Sequence, residues 1–268
     1  MYPTLLKISG FRIDSYSVVW FIALSLAIFW VIKRLEIYKL DDDEARKIMS
    51  ISFLFMLFGA HVPEYFLHWH EYFNKPSLFL DCNHGGLHET GAILGAFLSA
   101  FILSAMSKKI SFLTLCEAAA LPVLLAIAVG RWGCFLNGCC VGLPTKFFTA
   151  VHFPQDPAGV TRHPVQIYYS LFALISLLIL LGVEKRLSKK ISLSESHSII
   201  APLTLIAYGV MRLLVDYTRT SRPLSWRVAN EWHYKMLAIV LPLEILWLAY
   251  GLRRLKKKSI AVKPTLKR

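Results

Sequence analysis

Residues 130–142 read Gly130-Arg131-Trp132-Gly133-Cys134-Phe135-Leu136-Asn137-Gly138-Cys139-Cys140-Val141-Gly142, continuing directly from an apolar stretch that begins near Leu113. This run decides the fold. It places an arginine, an asparagine and three cysteines at the mouth of a membrane span. A guanidinium inside hydrocarbon costs about 3 kcal/mol on insertion scales and needs a partner. Gly130, Gly133 and Gly138 loosen the backbone where the span should end. The composition suits a site at which an anionic group meets the membrane edge.

Working outward, 56% of the 268 residues are hydrophobic, against roughly 45–50% in soluble domains. The excess lies in long runs, and about 20 apolar residues cross the hydrocarbon core. Candidate spans fall near 16–32, 48–67, 89–106, 113–133, 166–183, 198–217 and 236–252. The expected fold is all-α: a polytopic membrane helical bundle of about seven transmembrane helices forming a single domain over 1–268. Segments 89–106 and 113–133 should form a tight hairpin about Lys108 and Lys109. No cleavable leader is expected, because the first apolar run lacks a small-residue cleavage site and is followed by Lys33 and Arg34.

The net charge of +13 invites a nucleic-acid reading, but the basic residues sit between apolar runs, where they set orientation. One alternate set of connecting segments carries 19 lysines and arginines and the other 9. The richer set is assigned to the cytoplasm, which puts the N-terminus outside, the C-terminus inside, and segments 68–88 and 134–165 on the outer face. Long loops over a helical scaffold carry function. The basic tail from Arg253 is read as a topology anchor that also touches anionic lipid.

Three further stretches bear on chemistry. In Tyr208-Gly-Val-Met-Arg212-Leu-Leu-Val-Asp216-Tyr-Thr-Arg219, residues 208, 212 and 216 share one helical face. That stripe is either an internal ion pair or an anion site with Arg212 as its charge and Asp216 as orienter. Arg131 and Arg212 together would clamp a phosphate bidentately if the fold brought them together. The stretch Arg162-His163-Pro164-Val-Gln166-Ile-Tyr168 reads as a helix entry with a polar rim. Cys82-Asn-His84-Gly-Gly-Leu-His88-Glu89-Thr90-Gly91 suggests metal ligands, as do Cys139 and Cys140, but the spacings are not those of zinc sites. No metal or other cofactor is expected. Gly91 and Gly95, four apart, should permit close helix packing. Cys116 and His61 are read as interior residues.

Taken together these pieces resemble the prolipoprotein diacylglyceryl transferase family. The resemblance lies in Gly130-Arg131-Trp-Gly133-x-Phe135-x-Asn137-Gly138-x-x-x-Gly142, in His163-Pro164-x-Gln166-x-Tyr168, and in Tyr208-Gly-x-x-Arg212-x-x-Val-Asp216-x-x-Arg219. Ser15-Tyr16-Ser17 stands where the family has Trp-Tyr-Gly. The resemblance implies transfer of diacylglyceryl from phosphatidylglycerol to the lipobox cysteine thiol of an exported prolipoprotein, with glycerol phosphate leaving. It implies a bacterial cytoplasmic (inner) membrane location with the active site on the outer side. A monomer is expected.

Tyr16, Arg131, Asn137, Gly142, Tyr208, Arg212 and Arg219 carry over directly, and Asp216 as a shortened glutamate. Gln166 joins the lipid-binding set. His88 and His163 are the candidate bases, because imidazole titrates near neutrality. Cys134 stands where the family has an asparagine and Cys139 where it commonly has glutamate. Thr90 stands for a histidine, His61 for an arginine and Tyr169 for a glutamate. The arginines thus survive better than the groups around the acceptor. Two other readings follow from these departures: a paralog that uses another acceptor or its own thiolate at Cys134 or Cys139, and a non-enzymatic binder or transporter of anionic lipid. No inverted repeat supports transport.

Overall fold

The computed structural model describes residues 1–8, 11–40, 43–75, 77, 88–107, 109–189, 199–219 and 238–256. Cys82, His84 and Lys108 lie outside these residues, as does the basic tail beyond residue 256. The elements are β1 (Thr4–Ile8), β2 (Phe11–Asp14), α1 (Ser15–Ile37), α2 (Asp43–Leu67), α3 (Trp69–Asn74), α4 (Glu89–Met106), α5 (Phe112–Asn137), α6 (Val165–Ser188) and α7 (Ile200–Asp216). A further helix, α8, covers 238–256.

Among the described residues, each apolar segment expected to span the membrane is helical over most of its length. Among the described residues, α1, α2, α5 and α6 are long and apolar enough to cross one, and Gly91–Met106 is a shorter apolar helix. The 17 residues of α7 rise about 26 Å, short of a hydrocarbon core of about 30 Å. The antiparallel β1–β2 hairpin and α3 were not expected. Strands of four or five residues are too short for their periodicity to register. α3 falls inside the 68–88 segment read as loop.

The chain forms two compact units, Met1–Arg34 with Glu117–Arg268, and Leu35–Cys116. In the second unit α2 and α4 meet at glycines. A Cβ on Gly91 would stand 2.1 Å from the Gly59 carbonyl oxygen, and one on Gly95 2.2 Å from that of Phe55. Small residues let helix backbones approach this closely. The Phe112 ring packs edge-on against Phe97 and Phe101, at 5.7 and 5.4 Å between centroids.

In the first unit α1, α5, α6 and α7 are joined at both ends. Trp20 of α1 covers Gly130 of α5, where a Cβ would stand 2.8 Å from the ring, and Tyr16 and Val19 cover Gly133. Ser170 of α6 donates to the Ala128 carbonyl at 2.6 Å. The opposite end is held by charge. Arg34 donates to both Glu184 oxygens, at 2.8 and 2.7 Å, and to the carbonyls of Ala118 and Glu117. The Glu117 carboxylate accepts the N–H groups of Ile199, Ile200 and Ala201, at 2.7, 3.1 and 3.1 Å. Isoleucine cannot cap a helix, so the cap of α7 is supplied by α5. These contacts make α5 antiparallel to α1 and α6, and α7 antiparallel to α6.

Gly95→Ala is expected to destabilise by about 1–3 kcal/mol through backbone overlap. Gly182→Ala, whose Cβ meets nothing within 4 Å, should stabilise α6 by up to about 1 kcal/mol. Thermal unfolding in detergent measures both. Arg34→Leu leaves Glu184 buried and uncompensated, an expected loss of about 3–5 kcal/mol. In the same unfolding measurement the pair Arg34→Leu with Glu184→Leu should lose less than the single variant.

Candidate active site

The site grows from the end of α5. Arg131 is buried one turn before Cys134, and Asn137 is the last, exposed residue of the helix. Gly138 adopts φ 70°, a left-handed conformation that suits glycine at a helix stop. The Gly138 N–H bonds to the Phe135 carbonyl and the Cys139 N–H to that of Cys134, both at 3.1 Å. The Gln155 amide donates to the Gly138 carbonyl and holds the reversed chain in place.

Residues 138–164 then form a strap without regular helix. Gly142 bridges Arg219, its N–H reaches the His163 carbonyl at 3.1 Å, and the Leu143 N–H bonds Thr218 at 2.8 Å. A Cβ on Gly142 would stand 2.6 Å from the His163 oxygen and 2.7 Å from Val165 Cγ2. Glycine is therefore required where the strap passes between the start of α6 and the end of α7. Arg162 pairs with the Asp156 carboxylate at 2.8 Å and stiffens the strap.

The arginines converge on Tyr169. The Arg131 Cζ lies 4.4 Å from the Tyr169 ring centroid and the Arg212 Cζ 5.6 Å from it. The fully buried Tyr169 donates its hydroxyl to Asp216 Oδ1 and accepts from Arg212 Nη1 at 3.1 Å. Arg212 Nη2 meets Asp216 Oδ2 at 3.1 Å, and Arg219 Nη1 meets Oδ1 at 3.6 Å. Three cationic groups are thus grouped with one carboxylate around one aromatic ring. Guanidiniums over an aromatic face are held by the ring quadrupole while their N–H edges stay available to oxygens.

Other expected residues fall around this cluster. Tyr16 lies over Gly133 at the start of α1, and Tyr208 is half-buried one turn before Arg212. Gln166 is fully buried and donates to the Cys139 carbonyl. His163 Nδ1 stands 3.1 Å from the Tyr168 hydroxyl. Cys134, Cys139 and Cys140 are free thiols with Sγ atoms within 4.8 Å of one another. Hydrogen bonds from the Cys134 and Cys139 thiols, with the Arg219 and Arg131 charges, hold the Cys140 thiol well below its ordinary range.

His88 belongs to the other unit. Its Nε2 stands 2.9 Å from Glu64 Oε2, and Glu64 Oε1 stands 3.0 Å from His68 Nδ1. His61 stacks on Tyr65 at 6.3 Å. Glu64 escaped the sequence reading because nothing in a linear pattern pairs residues 24 apart. Tyr169 was read only as a departure; its position directly after Tyr168, where α6 enters beside the glycine-rich turn, was the available signal.

Over residues 3–250 the chain matches the family model described as prolipoprotein diacylglyceryl transferase. The chain belongs to this family. Relatives named phosphatidylglycerol–prolipoprotein diacylglyceryl transferase include one from Clostridium novyi (strain NT), 29% identical over 226 residues that cover 82% of this chain and 85% of the relative. The relative from Clostridium tetani (strain Massachusetts / E88) is 27% identical, with 82% and 86% covered. That from Lysinibacillus sphaericus (strain C3-41) is 25% identical, with 96% and 94% covered.

Proposed function

We propose that the protein transfers the diacylglyceryl group of phosphatidylglycerol to the lipobox cysteine thiol of a prolipoprotein. The observation that carries this reading is the convergence of Arg131 and Arg212 on Tyr169, beside Asp216 and Arg219. The family match and the names of the relatives supply the reaction.

In the reaction the acceptor thiolate attacks the glyceryl carbon that bears the phosphodiester. A carbon–sulfur bond forms, the carbon–oxygen bond to phosphorus breaks, and glycerol phosphate departs with the electron pair. The phosphate group gains one negative charge in this step. Guanidiniums held in place beforehand stabilise that developing charge without reorganisation. Tyr169 and Asp216 position the two arginines, and Gly142 lets the strap carry the Arg219 backbone to the cluster. Tyr16, Gln166 and Tyr208 complete the lipid-binding set, and Asn137 at the end of α5 joins the catalytic one.

The thiol proton passes to a histidine. Two imidazoles are the candidates: His163, whose Nδ1 stands 3.1 Å from the Tyr168 hydroxyl, and His88, whose Nε2 is held by the Glu64 carboxylate so that Nδ1 is left as the accepting nitrogen. The enzyme acts as a monomer with seven spans in the bacterial cytoplasmic membrane, N-terminus outside. The lysine and arginine excess of 19 over 9 supports that orientation and an outward-facing site.

A purified-protein assay with phosphatidylglycerol and a lipobox peptide, read by mass spectrometry, tests the activity. A diacylglyceryl mass on the peptide cysteine is expected. Arg212→Lys keeps the charge but loses the planar fork, and should lower kcat/KM by about 10- to 100-fold. An unchanged rate would remove the clamp. Of His88→Asn and His163→Asn, the variant that removes the base should lose about 10²–10⁴-fold in rate. An unchanged rate in both would remove the histidine base.

A further inference from the structure

The end of α5 builds a feature that the transfer reaction does not use. Cys139 and Cys140 are neighbours in sequence, and Cys134 lies in the last helical turn. The Gly138 reversal folds the two back over the third, and Cys140 itself takes φ 59°, uncommon for a residue with a Cβ. The three Sγ atoms come within 4.8 Å of one another. Cys134 is buried and its two neighbours half-buried. The buried Gln166 amide packs against the cluster through its bond to the Cys139 carbonyl, and among the described residues its Oε1 has no hydrogen-bond partner.

We propose that Cys134, Cys139 and Cys140 bind a d10 cation, Zn(II) or Cu(I), as three thiolates. Thiolate ligands select these ions over the hard cations Mg(II) and Ca(II), which take oxygen. Zinc–sulfur bonds of about 2.3 Å put ligand sulfurs about 3.8–4.0 Å apart, so small side-chain rotations close the cluster onto an ion. The remaining coordination position goes to water or to the Gln166 carbonyl oxygen. Each thiol releases its proton to solvent on binding, and no electron moves. The resulting site is anionic overall, and cations flank it in the chain. Arg131 precedes Cys134 by three residues on α5, and the Arg219 backbone bridges Gly142, two residues after Cys140. This site replaces the expectation of no metal, which rested on the adjacency of Cys139 and Cys140. Cys134 supplies what that spacing lacked. The proposal goes beyond the transferase reading, and its test uses no lipid.

The test takes the full-length protein, purified in detergent with reductant and stripped by chelator. Zn(II), and in a second anaerobic arm Cu(I), is titrated against a chromophoric chelator. One equivalent per chain is expected in at least one arm, and the arm that binds identifies the ion. The Cys82→Ser, Cys116→Ser double variant should still bind one equivalent. Cys134→Ser and the Cys139→Ser, Cys140→Ser pair should lose it. X-ray absorption on the unsubstituted, loaded protein should count three sulfur ligands, an outcome that does not depend on any variant folding. Absence of stoichiometric binding in both arms overturns the proposal. So does binding that survives Cys134→Ser, or a disulfide among the three cysteines, found by alkylation mass, in protein purified with reductant.

Discussion

The buried Arg34 guanidinium is the constraint on which the four-helix unit depends. It comes from α1, pairs in a fork with Glu184 of α6, and donates to backbone carbonyls at the start of α5. Glu117 beside it gives its carboxylate to three N–H groups at the start of α7. Four helix ends are therefore tied by one connected set of charges, each with partners. Buried charges tolerate no loss of a partner, so the set specifies which ends come together as much as it stabilises them. A helix that begins at Ile199 and Ile200 has no side chain to cap itself and depends on α5 for its first turn.

The opposite ends of the same helices hold the Tyr169 cluster, and the balance of charge there is different. At the Arg34 end one carboxylate pairs with the guanidinium and a second caps the start of α7; at the Tyr169 end one carboxylate meets Arg212 and Arg219, with Arg131 over the ring. The first arrangement is a fastening. The second is suited to an anion that arrives from outside the protein. Rigidity at one pole serves pre-organisation at the other, because the helices that carry Arg131, Tyr169 and Arg212 are the ones Arg34 and Glu117 tie together. A guanidinium held against an aromatic ring costs little to reorganise when charge develops beside it.

Glycine works in two ways in this chain. Gly59, Gly91, Gly95, Gly130 and Gly133 are small so that backbones or rings can approach. Gly138 is needed for its backbone conformation, since its φ of 70° ends α5 and turns Cys139 and Cys140 back toward Cys134. The thiol cluster thus follows from a helix stop rather than from a ligand motif, which is why its spacing resembled none.

The sequence by itself determined the helical segments, because a bilayer admits only long apolar runs whose backbone bonds close within the segment. It also determined the family and named the candidate residues, since the 208–212–216 stripe and the 130–142 run are local patterns that a helix period or a motif makes legible. Tertiary structure decided what depends on residues distant in the chain. That Arg131 and Arg212 meet at Tyr169, 38 and 43 residues from them, is a result of packing. The pairing of Arg34 with Glu184, the capping of α7 by Glu117 and the hold of Glu64 on His88 belong to the same class. A charge in an apolar run announces that it needs a partner. Only the fold says which one, because partners are chosen by the geometry of helix ends brought together across long stretches of chain.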